Sequence, residues 1–172
     1  MMGAIKINEF KEPKERAVSD APSDNLILAL QNPALYDHPV KDFQVIETHI
    51  SWVILTGDYA YKIKKPMDFG FLNFSTLERR KHFCEEELRL NRRLADNLYL
   101  DVLPITGSAE APALGGEGDA FEYAIRMRQF DQNELFDVRQ ENSKLTPELL
   151  TSLARQAADF HDSQPPVESG KP

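Results

Sequence analysis

The sequence predicts an α+β fold in which a five-stranded antiparallel sheet carries a single long inserted helix. Two observations lead to this prediction: short apolar and β-branched segments are separated by turn residues, and one longer segment has helical periodicity instead. Three strands precede that helix and two follow it, an order that does not fit the alternating strand–helix units of a parallel sheet. With 172 residues, of which 41% are hydrophobic, the chain is long enough for one globular domain with a core.

The five strands are predicted from segments rich in apolar and β-branched residues. They cover residues 43–48, 51–55, 59–64, 99–106 and 120–128. The Thr-Gly-Asp sequence at 56–58 predicts a tight hairpin turn between the second and third strands. Residues 107–119 contain Gly-Gly-Glu-Gly, which is typical of an exposed loop, so we expect them to join the last two strands as a hairpin excursion.

The long helix is predicted to begin at a capping box, in which Ser75 and Glu78 bond to each other's backbone N–H groups. It can continue to about residue 95, because no proline or glycine interrupts it. On a helical wheel one arc is apolar and is expected to face the sheet; it holds Leu77, Phe83, Cys84, Leu88, Leu90, Leu94 and Ala95. The position of Cys84 on this arc indicates a packing role rather than a nucleophile.

Glu87 is exceptional because it lies near the middle of the apolar arc. A buried carboxylate needs a cation, since an unpaired buried charge is costly. In the extended segment 59–64, side chains alternate between the two faces of the sheet, so Lys62 and Lys64 share one face and either can supply that cation. Protein kinases hold nucleotide phosphates with a strand lysine that is paired to a helix glutamate. The alternative is that Glu87 pairs with Arg80, its neighbour on the helix, and that both lysines are solvated.

The domain organisation follows from composition and helix signals. We expect a disordered tail at residues 1–22, a domain at 23–130, helices at 131–162 and a second tail at 163–172. A short helix is predicted at 25–31 in the domain. Thr146 and Pro147 predict the start of another helix, residues 146–160, whose apolar stripe has nothing obvious left to cover.

Composition excludes several classes of protein. The net charge of −8 argues against a nucleic-acid-binding protein, which needs a basic face. No apolar segment approaches the length of a membrane span, and the N-terminus lacks the apolar core of a signal peptide. One cysteine permits no internal disulfide and suits a reducing cytoplasm. The four histidines are scattered along the chain, so the sequence predicts no metal site.

Five antiparallel strands, with a lysine in the third and a helical glutamate before the fourth, are the plan of a protein-kinase-like N-lobe. Three segments carry a closer resemblance: ETHISWVILTG at 47–57, YKIKKP at 61–66 and FCEEELRLNRRL at 83–94. They resemble a bacterial family of proteins with an aminoglycoside-phosphotransferase-like kinase domain, usually followed by a P-loop ATP-binding domain. The resemblance covers roughly residues 26–161 and implies the same fold for this chain.

The resemblance also implies roles for individual residues. Lys64 matches the strand lysine that grips the α- and β-phosphates of ATP, with Lys62 as the second choice on the same face, and Glu87 matches the glutamate that orients that lysine. Where the last strand leaves the sheet, four residues resemble the hinge whose backbone meets adenine: Met127, Arg128, Gln129 and Phe130. Residues 146–161 resemble the C-lobe helix that precedes the catalytic loop.

The sequence departs from this family pattern in two ways. The position of the phosphate-covering Gly-rich loop is residues 47–52, which contain no glycine. The sequence also has no catalytic loop of the His-x-Asp-x-x-x-x-Asn type and no Gly-x-x-x-x-Gly-Lys-Ser/Thr phosphate loop. The Asp-Phe-Gly sequence at 68–70 lies before the long helix, whereas a metal-binding aspartate must follow the catalytic loop, so we interpret it as a chance match.

These observations predict a nucleotide-binding lobe of an aminoglycoside-phosphotransferase-like small-molecule kinase, with ATP as its ligand. The chain is expected to be a fragment that is inactive by itself, with Mg²⁺ bound only together with the missing C-lobe. That C-lobe, or a partner chain, is expected to cover helix 146–160. The alternative is a non-catalytic protein-interaction module on a kinase-like fold, which the absence of a Gly-rich loop and the acidic charge favour.

Overall fold

The structure is a computed structural model that describes residues 24–166. The predicted tail at 1–22 lies outside the described residues, and so does the second predicted tail from residue 167 onward. Within the described part, the chain has four α-helices and six strands. The helices are α1 (Asp24–Ala29), α2 (Leu77–Ala95), α3 (Phe136–Glu141) and α4 (Pro147–Asp162). The strands are β1 (Gln44–Glu47), β2 (Ser51–Leu55), β3 (Tyr59–Lys64), β4 (Tyr99–Gly107), β5 (Pro112–Leu114) and β6 (Glu122–Arg128).

The strands form one sheet in the order β1-β2-β3-β6-β4-β5, and every neighbouring pair is antiparallel. The predicted α+β class and the antiparallel sheet are therefore confirmed. In the register, Lys62 lies opposite Val53 on β2 and opposite Ile125 on β6. Strand β3 is thus an inner strand, and its central residues have a ladder on each side.

The prediction of five strands is wrong, because β5 forms inside the segment predicted as an exposed loop. Gly107 has a φ of 85°, in the left-handed region that favours glycine, and a side chain there would collide with the carbonyl oxygen of Ala111. This turn folds the chain back so that Ile105 pairs with Leu114. Gly107, at the start of the segment predicted as a loop, therefore makes the turn that lets a short sixth strand pair, and the Gly-Gly-Glu-Gly sequence follows that strand.

The two faces of the sheet are covered by different helices. Because side chains alternate along β3, Tyr61 and Ile63 lie on the face opposite to Lys62 and Lys64. The face of Tyr61 and Ile63 packs against buried side chains of α1 and the segment after it. On the other face, α2 packs against β4 and β6. The lysine pair therefore lies under the long helix.

Helix α2 begins one residue later than the capping box predicts. Thr76 is the N-cap and its hydroxyl accepts a hydrogen bond from the backbone N–H of Arg79 at 3.3 Å. Ser75 instead donates both its N–H and its hydroxyl to Oδ1 of Asn73. The cap prediction at Ser75 is wrong because the side chain of Asn73 accepts hydrogen bonds from both the N–H and the hydroxyl of Ser75.

The apolar arc of α2 is only partly buried. Cys84 is fully buried, as predicted from its position on the arc, whereas Leu90 and Leu94 remain 46% and 54% exposed. The expectation that the whole arc faces the sheet is therefore wrong for the second half of the helix. That half leaves an apolar surface open.

Helix α4 confirms the helix predicted at 146–160 and packs poorly against the rest. Thr146 caps it, Pro147 occupies its first turn, and none of its side chains is buried. Near its end, the Phe160 ring lies 4.6 Å from the guanidinium carbon of Arg93 on α2. Among residues 24–166, no helix combines the length and the apolar character that crossing a membrane requires.

Candidate functional site

Glu87 forms a forked contact with both lysines of β3. Its Oε1 atom accepts from Nζ of Lys62 at 2.7 Å, and its Oε2 atom accepts from Nζ of Lys64 at 2.6 Å. The pairing of Glu87 with a strand lysine is thus as predicted, and both lysines take part rather than one. Their nucleotide-binding role stays a prediction, because the geometry alone does not identify a ligand.

The sequence positions this contact through two periodicities. Alternation along β3 brings the side chains of Lys62 and Lys64 to one face of the sheet. The helical repeat places Glu87 on the α2 face that covers the sheet, one turn after the buried Cys84. A carboxylate under the helix therefore meets two ammonium groups on the sheet below it.

The electrostatics of the site favour an ionised Glu87. Burial acts to raise the pKa of its carboxyl group, but the charges of Lys64 and Lys62 and their hydrogen bonds outweigh burial, so the pKa lies below its usual value. Two ammonium groups facing one carboxylate leave one net positive charge in a partly enclosed position. Such an excess of positive charge attracts an anion.

Arg80 does not pair with Glu87, so the alternative raised from the sequence is wrong. Its Nε atom donates to Oε2 of Glu122 on β6 at 2.7 Å, and both side chains are almost fully buried. Burial raises the pKa of Glu122 to about 7, against the opposing charge of Arg80. Glu122 was not predicted as a site residue. One indication of such a partner was present in the sequence, because Arg80 lies near the apolar arc and a buried guanidinium needs a counter-charge.

Cys84 lies one helical turn before Glu87 and is inert as a nucleophile in this environment. Burial raises the pKa of its thiol to about 12, which leaves almost no thiolate at neutral pH. The interpretation of Cys84 as a packing residue agrees with its complete burial.

The predicted hinge lies at the far end of β3 from Lys64. Met127 pairs with Ala60, and Arg128 pairs with Tyr59, at the start of that strand. Lys64 lies four positions after Ala60 on an extended strand, a distance of about 13 Å. Lys62 is nearer, two residues or about 7 Å along the strand from Ala60. A ligand that reaches both the hinge and Lys64 must therefore be elongated.

Two amide groups of the predicted hinge are already used within the fold. The N–H of Arg128 donates to the carbonyl of Leu98 at 2.8 Å, and that of Gln129 donates to the carbonyl of Asp58 at 3.0 Å. Phe130, the last of the four residues, is 44% exposed. A groove of about 470 Å³ borders Gln129, and neither Lys62 nor Lys64 lines it.

The turn between β1 and β2 is closed by a threonine and not by glycines. The hydroxyl of Thr48 accepts from the N–H groups of Ile50 and Ser51 at 3.3 and 3.0 Å. The N–H of Thr48 itself donates to the carbonyl of Ser51 at 2.9 Å. These three amides bond inside the turn, so in this conformation they do not form a cradle for phosphate.

The Asp-Phe-Gly sequence forms a turn of its own. Oδ1 of Asp68 accepts from the N–H of Gly70 at 2.8 Å, and Oδ2 accepts from the side-chain amide of Asn73. Its carboxylate is thus engaged in local structure, which agrees with the interpretation of a chance match. Within residues 24–166, no group of three or more histidine, cysteine, aspartate or glutamate side chains is arranged to hold a metal ion.

Comparison with known proteins gives a limited similarity. Uncharacterized proteins of Mycobacterium bovis and of two strains of Mycobacterium tuberculosis are 44% identical to this chain over 80 residues. The similar region covers 42% of this chain and 16% of the length of those relatives. No protein-family model and no solved structure matches the chain. The chain is therefore similar to one part of longer mycobacterial proteins whose descriptions give no activity.

Proposed function

We propose that residues 24–130 are the nucleotide-binding lobe of an aminoglycoside-phosphotransferase-like small-molecule kinase, with ATP as the ligand. The observation that carries the proposal is the forked contact of Glu87 with Lys62 and Lys64. A helix glutamate that orients a strand lysine toward nucleotide phosphates is the arrangement kinases use. The one excess positive charge at this contact suits a polyphosphate.

The sheet supports the same proposal at the level of topology. The lysine strand β3 lies between β2 and β6, and α2 is inserted between β3 and β4. The segment that follows β6 leaves the sheet beside the start of β3, where a hinge of a kinase-like N-lobe would meet adenine. Lys62 and Lys64 lie about 7 Å and about 13 Å along the strand from Ala60, a separation that suits a ligand with a base at one end and phosphates at the other.

The catalytic groups belong, in this proposal, to a second lobe that covers α4. Phosphoryl transfer needs an aspartate that positions the acceptor hydroxyl and further acidic residues that hold Mg²⁺. The described residues offer no such acidic cluster, so Mg²⁺ would be bound by that lobe together with the nucleotide. Leu150 and Leu153 on α4 are about half exposed and provide an apolar surface for it.

Calorimetric titration with ATP and ADP tests the proposal. We expect both nucleotides to bind the chain and the combined substitution Lys62→Ala and Lys64→Ala to remove binding, because the positive charge at the site is lost. The matched control is Lys81→Ala with Lys144→Ala, which removes the same charge from exposed positions and should leave binding intact. Nucleotide binding that is unchanged by the first double substitution would rule out the proposed site.

A second candidate function is a non-catalytic protein-interaction module. The exposed apolar stripe of α4 and the glycine-free turn between β1 and β2 favour it. It predicts no shift of the melting temperature by nucleotide and a stable protein complex in which α4 is buried. A nucleotide-dependent rise of the melting temperature distinguishes the kinase lobe from this alternative.

A further inference from the structure

The two lysines that share Glu87 have different surroundings. The side chain of Lys64 is 5% exposed, and that of Lys62 is 23% exposed. Both ammonium groups bond to the same carboxylate at nearly equal distances. The difference therefore lies in what surrounds each amine on its other sides.

Lys64 is enclosed by aromatic packing. Its Nζ atom lies 4.9 Å from the ring centroid of Phe74, a distance at which the ring face attracts a cation. Phe74 is itself buried, and its ring packs edge-on against Phe83. The carbonyl of Phe74 accepts from the guanidinium of Arg80 at 3.1 Å. Lys64 is thus fixed by a chain of contacts that continues into the buried Arg80–Glu122 pair.

A phosphate contact requires an ammonium group with a donor that still faces the ligand. Each lysine has three N–H donors, and one of them is used on Glu87. Lys62 keeps an open side, whereas Lys64 would have to leave Phe74 to reach a phosphate. We infer that Lys62 contacts the phosphate groups and that Lys64 is a positioning residue that holds Glu87. This inference rests on the proposed nucleotide-binding function. The family resemblance implied Lys64 as the phosphate-binding lysine and Lys62 as the second choice, and the inference reverses these two roles.

The arrangement also offers a way to bind phosphates without a Gly-rich loop. The amides of Ile50 and Ser51 in the turn between β1 and β2 are bonded to Thr48. Glu87 bonds to both lysines, so the cluster of three side chains keeps one net positive charge, and Lys62 is its more exposed amine. The ligand class that fits is the diphosphate portion of a nucleoside di- or triphosphate.

Amine labelling of the wild-type chain tests the inference without any substitution. A lysine-acylating reagent followed by mass spectrometry reports the reactivity of each amine with and without ADP. We expect Lys62 to react and to be protected by ADP, and Lys64 to react slowly in both conditions. Protection of Lys64 equal to or greater than that of Lys62 would overturn the assignment.

Two matched substitutions, Lys62→Met and Lys64→Met, provide a second measurement. Lys62→Met should weaken ADP binding by about tenfold or more, the effect of one charged hydrogen bond, and leave adenosine binding unchanged. Lys64→Met should lower the melting temperature more and change the ratio of ADP to adenosine affinity less. If wild-type chain binds no ADP, the proposed function itself fails; if it binds and Lys64→Met has the larger effect on that ratio, only the division between the lysines is wrong.

Discussion

Glu87 is the residue on which the site depends, because its single carboxylate bonds to two ammonium groups. Its side chain is 16% exposed, so the cluster is shielded from water on most sides. Without the carboxylate, Lys62 and Lys64 would repel each other in a poorly solvated position. We expect Glu87→Gln to lower the free energy of unfolding by about 3 kcal/mol, the cost typical of breaking a buried ion pair. Urea unfolding at neutral pH measures this change.

The control for this substitution is the preceding residue, Glu86. It pairs with Arg89 on the solvated side of α2, and exposed pairs of this kind contribute little. Glu86→Gln should therefore change the free energy of unfolding by less than about 0.5 kcal/mol. Equal effects of the two substitutions would mean that the forked contact contributes no more than a surface ion pair.

The comparison of wild type with Glu87→Gln should also depend on pH. The pKa of Glu87 is lowered in the folded state from its usual value of 4.5, so ionised Glu87 stabilises the fold above that pH. This stabilisation is lost as the pH falls through the folded-state pKa, because the carboxyl group then takes up a proton. The stability difference between wild type and Glu87→Gln should therefore shrink below pH 4.5 and stay constant near neutrality.

At the scale of secondary structure, the start of α2 gives a direct comparison of two neighbouring hydroxyl groups. Thr76 caps the helix, and Ser75 bonds to Asn73 instead. We expect Thr76→Ala to cost about 1 kcal/mol, the usual effect of losing an N-cap. Ser75→Ala keeps its backbone bond to Asn73 and should cost less. Chemical denaturation of the two variants measures both values, and a larger loss for Ser75→Ala would restore the capping box predicted from the sequence.

The strand and helix positions could be predicted because their signals are local. Apolar and β-branched composition predicted β2 and β3, and alternation along β3 showed that Lys62 and Lys64 share a face. A run of 19 residues without proline or glycine located α2. The partner of Arg80 could not be predicted, because Glu122 is 42 residues away along the chain. A pairing between residues far apart in the chain depends on the order of strands in the sheet, and the local sequence does not determine that order.

The wrong predictions of a loop at β5 and of an N-cap at Ser75 have a related cause. In both cases the prediction used a short local sequence pattern, and the outcome depended on a residue outside that pattern. Glycine in the segment 107–119 fits an exposed loop and also the tight turn that creates β5. Ser75 has the residue type of an N-cap, but its hydroxyl group donates to the side chain of Asn73 instead.

At the scale of the whole molecule, the described residues divide into a packed part and an open part. The sheet is covered by α1 on one face and by α2 on the other, and two internal ion-pair clusters link α2 to the sheet. Helix α4 contributes no buried side chain, although its apolar stripe is regular. The stability of the fold should therefore depend on the sheet and α2, and very little on α4.

Substitutions on α4 test this division. Leu150 and Leu153 are 48% and 47% exposed, so replacing both with glutamine removes little buried area. We expect Leu150→Gln with Leu153→Gln to change the free energy of unfolding by no more than about 0.5 kcal/mol, as for ordinary surface positions. Ile54→Ala, at a fully buried position of β2, should cost about 2–5 kcal/mol in the same denaturation experiment.

The outcome also bears on the role of the stripe. If the double substitution on α4 costs more than about 1.5 kcal/mol, beyond the range of surface positions, α4 packs against the rest of the chain and is not a free surface. If it leaves stability unchanged, the two leucines contribute nothing to this fold by themselves. An apolar stripe that does not stabilise its own chain fits a surface that another lobe or protein covers, as both candidate functions require.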